Sequence, residues 1–426
     1  MDPLTRQNKE WLDRRFAPGG VQGAYFAHEP IYGVSSGLSE PFQARRLCRA
    51  YAVLRRLAQM RCETLLDVGG AEGYYAHLAR RLLSMRCVTS DLSFQANLRA
   101  RELFGLPAVA CEGSCLPFAD ESFDVVTCCE VLEHVTHPVA VIAEALRVAR
   151  RYVLLTTEEI CRSPRERELR ASLVRSKPHA ELNFFAPEDF QTVLGKDVTI
   201  ERQGIITRRC AWLEAVGEEP ATDEIKRLLL RMTRPSPPDS RDLEVEFGLL
   251  LVKARDQVLP IIGSEGDDGA LLDAMLAETV DRAWSAQPKC EATDPLLRDR
   301  LACPACRRLL ADDPAGFRCT SCDRVFEVEQ GIPVMYLEAE AERPMMADCS
   351  RWPWITDQAK SLGAMLATRH PEPGPVLRYL LKAELFCLRV LCRLRQGQSA
   401  AAIHRACKLR VLRARAACHR RRTCTP

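Results

Sequence analysis

The sequence predicts an α/β fold: a Rossmann-like, doubly wound, seven-stranded sheet with helices on both faces, followed by a small metal-stapled module. Three observations carry this. Short apolar runs alternate with helical patterns from Thr64 to Thr156, which implies parallel strands joined by crossover helices. The first run, Thr64-Leu65-Leu66-Asp67-Val68, passes directly into Gly69-Gly70-Ala71-Glu72-Gly73, a turn rich enough in glycine to bring backbone close to a ligand. Far downstream, Cys303-Pro304-Ala305-Cys306 and Cys319-Thr320-Ser321-Cys322 form a pair of CxxC knuckles.

Taken in order, residues 1–60 read as an N-terminal helical cap. Trp11 to Phe16 suits a short amphipathic helix, and Gln43 to Met60 a longer one, with Leu47, Tyr51, Leu54 and Leu57 at helix spacing. Between them, Gly23 to Gly33 holds aromatics with His28 and Glu29, fitting either a lid over a site or a strip packed on the sheet. The main domain is expected over 61–255. After the first strand come helices at Tyr75–Ser84 and Leu92–Phe104, and strands at Arg86–Asp91 and Pro107–Cys111. A further strand contains Phe123-Asp124-Val125-Val126. A helix then begins near Thr136 as N-cap, with Pro138 in its first turn, and runs to Arg150; the fifth strand is Tyr152–Thr156. Apolar runs at Val198–Ile206 and Phe247–Val252 suit a closing hairpin. The insertion between them carries a helix, Asp223–Met232, and the Pro-rich Arg234-Pro235-Ser236-Pro237-Pro238. A linker with a helix (256–296), the cysteine module (297–338) and a basic, partly helical tail (339–426) complete the chain.

A strand, a glycine turn and a helix N-terminus together cradle nucleotide-type ligands. Asp67, at the end of the strand, disfavours a phosphate and favours a ligand bearing a positive or hydrogen-bond-donating group. S-adenosylmethionine, with an ammonium, a sulfonium and a ribose, fits. Asp91 ends the second strand at the spacing where an acid grips ribose hydroxyls. Glu112 follows the third.

The run Leu116-Pro117-Phe118-Ala119-Asp120-Glu121-Ser122-Phe123-Asp124-Val125-Val126, followed by Glu130-Val131-Leu132-Glu133-His134-Val135, closely resembles class I S-adenosylmethionine-dependent methyltransferases, in particular the type 11 group that includes ubiquinone and menaquinone biosynthesis enzymes. The resemblance spans Thr64 to Val153. It implies that Asp67, Gly69 and Gly73 surround the methionine part of the cofactor, with Gly70 of the same turn also cofactor-binding, that Asp91 holds the ribose, and that Glu112 lies near the adenine amino group. It places Glu130 near the reacting methyl. Ala71 departs from the usual middle glycine, and Glu112 is one methylene longer than the usual Asp.

Methyl transfer from a sulfonium needs positioning and, for a protonated acceptor, a base. His179, in a loop after strand five, reads as base or substrate contact, or as part of a surface loop. His134 reads as base or as a structural residue at a loop-to-helix junction, with His28 behind both. Thr127-Cys128-Cys129-Glu130 stands where an Asn-Pro-Pro-Tyr motif would mark adenine or amide methylation. O-, C- or other N-methylation therefore stays open.

The four thiols of Cys303, Cys306, Cys319 and Cys322 are expected to complete a closed tetrahedral Zn2+ site, structural because no coordination position is left open, with redox thiols or coincidence as the alternatives. About forty residues bury too little core alone, so metal-coupled folding is expected. With Leu309, Leu310, Phe326 and Gly331-Ile332-Pro333-Val334, this zinc-ribbon domain resembles the small activator subunit of eukaryotic tRNA and release-factor methyltransferases, here fused in cis. That implies a stabilising or substrate-presenting role.

The chain has 426 residues, 47% hydrophobic and 27% charged, the composition of a globular protein with ample core. Neither an export signal nor an apolar run of about 18 residues is evident, so a cytoplasmic protein, with or without membrane association, is the expectation. The remaining cysteines are scattered through apolar positions such as Cys87, Cys111 and Cys128 and read as buried thiols. From Val376 to Pro426, 13 Lys or Arg face one acid, net +12; with +3 overall, the remainder carries −9. Leu377, Leu381, Leu385, Leu388 and Leu391 recur at helix spacing there, as on a helix that lies on an anionic membrane, binds RNA phosphates or packs on the protein. The functional expectation is methylation of a small-molecule, lipid or glycan intermediate. The rivals are tRNA or rRNA methylation and a non-catalytic cofactor-binding adaptor.

Overall fold

The computed structural model describes residues 1–18, 27–31, 40–157, 161, 164–172, 179–185, 189–190, 198–206, 245–254, 268–278 and 294–337. The expected insertion helix, the Pro-rich linker and the basic tail lie outside these residues.

Seven strands form one sheet: β1 (Thr64–Val68), β2 (Arg86–Asp91), β3 (Ala108–Ala110), β4 (Phe123–Cys129), β5 (Ala149–Thr157), β6 (Val198–Ile206) and β7 (Val245–Ala254), in the order β3-β2-β1-β4-β5-β7-β6. The first five are parallel, and β7 runs antiparallel to both β5 and β6. The expected doubly wound sheet with its closing hairpin is what the chain builds.

Strand geometry sends neighbouring side chains to opposite faces. Leu65 packs with Cys87, Val125 and Leu154 beneath α2 (Glu40–Met60) and α3 (Tyr74–Leu83). Leu66 packs with Val88, Val126 and Val153 beneath α5 (Pro138–Val148). Burial on both faces explains why these strands read as unbroken apolar runs. On α2, Leu47, Tyr51, Leu54 and Leu57 are the buried stripe their spacing predicts. The helix α7 (Asp268–Ala277) leans on α2 and α3 through Leu272 and Met275, and Glu278 just beyond it meets His77 Nε2 at 3.1 Å.

Some boundaries differ from the expectation. The first helix, α1, spans Pro3–Phe16, because Asp2 caps it by accepting from the Leu4 and Thr5 N–H groups. Thr136 is not the N-cap of α5. His137 occupies that position, and the Thr136 hydroxyl donates to Asp2 Oδ2 instead. The α5 helix stops at Val148, and Ala149 already pairs with Phe123, so β5 begins three residues before Tyr152. The remaining helices are α4 (Phe94–Phe104), α6 (Pro164–Ala171) and α8 (Pro295–Arg298).

The cysteine module is a four-stranded antiparallel sheet, β11-β10-β9-β8, made of β8 (Leu310–Asp313), β9 (Gly316–Cys319), β10 (Val325–Glu329) and β11 (Ile332–Pro333). It docks on the free edge of the larger sheet. On its entry side, Ala119 N–H donates to Arg300 O and Ala302 N–H donates to Pro117 O, which zips Arg300–Ala302 onto the Leu116–Asp120 run. On its exit side, Val334 bridges Ala110 in parallel, and Met335 N–H donates to Ala110 O. Leu297, Leu301, Phe317 and Phe326 thereby join the same buried cluster as Phe118 and Val126. A buried polar knot reinforces the joint. Arg147 donates to Leu116 O, Phe118 O, Asp120 and Glu144, and Glu144 also meets Arg307 of the module at 3.0 Å.

Candidate active site

The parallel strands end on a cavity of about 970 Å3, its open mouth included. Its floor is the turn after β1. Gly69 and Gly70 both donate to Ser90 O, and Ala71 N–H donates to Asp91 Oδ2 at 3.0 Å. Gly69 has φ +70, and a side chain there would run into Val131. Ala71 also has positive φ, +48, yet its methyl has a use: it packs with Phe16 and Ala96. That contact accounts for an alanine where a glycine was expected.

Of the predicted cofactor residues, Gly69, Asp91 and Glu112 line the cavity. Both Asp91 oxygens are already held, by the N–H groups of Ser93 and Ala71, which fixes the carboxylate in place at the rim. Burial pushes this acid up to about 6, against those two hydrogen bonds. Glu112 accepts from the Ser114 hydroxyl at 2.7 Å.

Asp67, Gly70 and Gly73 are behind the turn, outside the lining. Asp67 is 1% exposed and lies in register between Thr89 on β2 and Thr127 on β4. Thr127 donates to its Oδ1 at 2.7 Å, while among the described residues Oδ2 has no hydrogen-bond partner. Burial pushes Asp67 up to about 7, with the Thr127 hydroxyl pulling the other way. A Cβ on Gly70 would come within 2.7 Å of that Oδ2, so the acid sits just beneath the turn.

Sequence reasoning did not single out Glu29 as a site residue. It lines the cavity, is 6% exposed, and its Oε2 has no hydrogen-bond partner among the described residues. Burial raises its pKa, and Arg46 and Arg49 oppose the rise. The neighbouring His28 N–H donates to Glu72 Oε1 at 2.6 Å, tying this loop to the glycine turn. Of the loop read as lid or packing strip, residues 27–31 are described; Ala27 and Ile31 pack inward while His28 and Glu29 face the cavity.

The cavity lining is also rich in imidazoles. His134 and His179 stack with centroids 4.0 Å apart, Trp11 stacks on His179 at 5.2 Å, and His28 stands edge-on to His179 at 6.4 Å. His134 Nδ1 is 3.2 Å from Ala180 O, so Nδ1 carries the proton and Nε2 is the basic nitrogen. Asn8 of α1 clamps the pair, donating to His134 O and accepting the His179 N–H. Burial, with help from Arg46 and His179, drives His28 well below the ordinary imidazole range. Glu130 lines the cavity too, with φ +56, but its carboxylate is engaged by the Thr156 hydroxyl at 2.9 Å and by Arg49 at 3.1 Å.

In the cysteine module, the four Sγ atoms of Cys303, Cys306, Cys319 and Cys322 lie within 4.8 Å of one another, with the closest pairs at 3.6 and 3.4 Å. Zn–S bonds of about 2.3 Å give a tetrahedron with edges of about 3.8 Å, so the cluster has the size of a metal cage. It is the single such group among the described residues.

Residues 66–155 match the model of the methyltransferase domain family, which covers the turn, the two strand-end acids and the EVLEH run. The chain thus carries a methyltransferase domain, a group-transfer enzyme fold. No curated protein matches the sequence. Among solved structures, the chain is similar to the Streptomyces coelicolor A3(2) geranyl diphosphate C-methyltransferase solved with S-adenosyl-L-homocysteine, at 18% identity over 59% of this chain and 97% of that one, TM-score 0.38. It is also similar to the YcgJ protein of Bacillus subtilis, at 17% identity over 46% and 93%, TM-score 0.32. A third similar chain comes from a solved complex of the Haloferax volcanii Trm112 methyltransferase activator, at 14% identity over 51% and 95%, TM-score 0.35. Among the described residues, no helix is long and apolar enough to cross a membrane.

Proposed function

We propose that the protein transfers a methyl group from S-adenosylmethionine to a small-molecule, lipid or glycan intermediate held in this cavity. The observation that carries the reading is the lining of one cavity: beside the glycine turn it gathers the carboxylates of Glu29, Asp91 and Glu112 and the imidazoles of His28, His134 and His179. The residues fit the cofactor. Asp91 offers lone pairs to ribose hydroxyls, and Glu112 stands where an adenine amino group would be met. Glu29, a buried acid with an oxygen left over, suits the ammonium, and Asp67 backs it from beneath the turn. When bound, the cofactor supplies an electrophilic methyl group.

His134 and His179 are our candidates for the base. The Ala180 carbonyl fixes the His134 tautomer, so Nε2 takes the proton from an acceptor hydroxyl or amine. Glu130, committed to Arg49, positions α2 over the site and serves as an anchor, not as the base. Thr5, Asn8, Leu12 and Phe16 of α1 line the cavity, from Asn8 beside His134 and His179 to Phe16 beside Ala71, so the helix borders both the histidines and the glycine turn. We propose further that the four cysteines hold one structural Zn2+.

Calorimetric titration of the zinc-replete protein with S-adenosylmethionine and S-adenosylhomocysteine, beside Asp91→Ala, tests the reading. Saturable binding weakened at least tenfold by the mutation supports it; no binding to folded wild type removes it. The +12 tail favours a second reading, methylation of tRNA or rRNA. That reading requires RNA binding that falls steeply with salt and loses this slope when residues after Val376 are deleted. Turnover of any acceptor would remove the adaptor alternative.

A further inference from the structure

The α1 helix covers the cavity through Thr5, Asn8, Leu12 and Phe16, yet little apolar surface holds it there. Its buried cluster is small: Phe16, Ala71 and Ala96, with Leu12 against them. Its other ties are mostly polar. Asp13 accepts from the Ser93 hydroxyl and the Gln95 N–H, Phe16 O accepts from Arg99, and Asn8 clamps the two histidines. Elements held this way open at low free energy compared with the sheet behind them.

The exit segment of the cysteine module reaches this helix. The Met1 amino group donates to Leu337 O at 2.8 Å. The Lys9 ammonium stands 5.0 Å from the centre of the Tyr336 ring and pairs with Asp13 at 2.7 Å. The Tyr336 hydroxyl turns the other way and donates to Leu92 O at 2.6 Å. Leu92 lines the cavity next to Asp91, and Ser93, which follows it, is held by both Asp91 and Asp13. One side chain therefore touches the roof helix on its ring face and the ribose-acid loop through its hydroxyl.

The geometry points to Tyr336 as a positioning residue that latches α1 over the cofactor end, so that the cysteine module sets how fast the bound cofactor leaves. The retention part rests on the cofactor reading above; the latch itself does not. Docking of Val334 and Met335 on β3 anchors the latch from behind, which makes the module a support for the roof as well as a cover for the sheet edge.

The test uses the full-length, zinc-replete protein, with S-adenosylhomocysteine as the probe. Stopped-flow displacement gives its release rate, and hydrogen exchange without ligand reports opening of residues 3–16. Tyr336→Ala loses both contacts and should release the probe about tenfold faster, with faster exchange across α1. Tyr336→Phe keeps the ring under Lys9 and should fall between Tyr336→Ala and wild type. Val325→Thr, on the exposed face of the module, should match wild type in both. Equal release and equal α1 exchange in Tyr336→Ala and wild type would overturn the latch. Were wild type not to bind the probe, retention would fall with the cofactor reading, while α1 exchange would still decide whether Tyr336 latches the helix.

Discussion

In the larger sheet, β1, β3 and β4 bury every residue they contain, whereas β8 and β10 of the cysteine module bury a single residue between them, Phe326. The first region excludes water from both faces and is stabilised by its own packing. The second is thin, with Leu309 69% exposed, and has two supports from outside its own core: four convergent thiols and the edge on which it docks. The sheet is expected to stand without the module, but not the reverse.

Removing the Zn2+ proposed for the four cysteines is the most severe way to separate the two regions. Metal-coupled folding of such modules is worth about 10 kcal/mol or more. Cys303→Ser should take zinc content from one ion per chain to none by elemental analysis, with loss of amide protection over 294–337 while β1 to β5 stay protected. Protection that persists without metal would show that docking alone folds the module.

Arg147→Ala attacks the joint between the regions. It leaves the largely buried Glu144 with Arg307 as its remaining cationic partner and strips the Leu116 and Phe118 carbonyls of a donor. The expected cost is about 3 kcal/mol in urea unfolding, with the module transition moving further than the sheet transition. Equal shifts would mean that the two unfold as one unit.

Asp67 probes the sheet half alone. Its pKa in the folded chain, about 7, is above the unfolded value, so the native state holds the extra proton. The associated stability is complete below about pH 4 and is lost as pH rises through 7. Asp67→Asn should therefore melt higher than wild type at pH 8, by on the order of 2 kcal/mol, and equally at pH 4. The same variant should bind S-adenosylhomocysteine more weakly, and wild type should release a proton on binding at pH 6, read from calorimetry in buffers of different ionisation enthalpy. No pH difference between the two proteins would mean that Asp67 ionises as an ordinary acid.

Leu309→Thr marks the small end of the scale. At an exposed module position it should change stability by less than about 0.5 kcal/mol.

Much of this was legible in the residues, for physical reasons that can be named. Strands buried on both faces advertise themselves as apolar runs, and Gly69 declares its turn because its φ excludes most other residues. The CxxC spacing exposes the thiol cluster in the same way. Ends of helices were less legible. Nothing local says that Thr136 bonds to Asp2 rather than capping α5, since that choice depends on α1 arriving from 134 residues away. Glu29, Asn8, Arg49 and Tyr336 were missed for the same reason, because each acquires its role through a partner distant in sequence. The lone signal for Asp67's setting was a threonine at the matching position of β2 and β4, which becomes visible after the strands are aligned.

The parallel bridge between Ala110 and Val334 also bears on how the chain is made. A ribosome delivering about 5–20 residues per second completes β3 roughly 11–45 seconds before Val334 is made. Through that interval the sheet has an open edge at β3, and the roof helix lacks its Tyr336 contact. Three residues make β3 a poor template for a stray strand, which fits an edge that must wait for its cover.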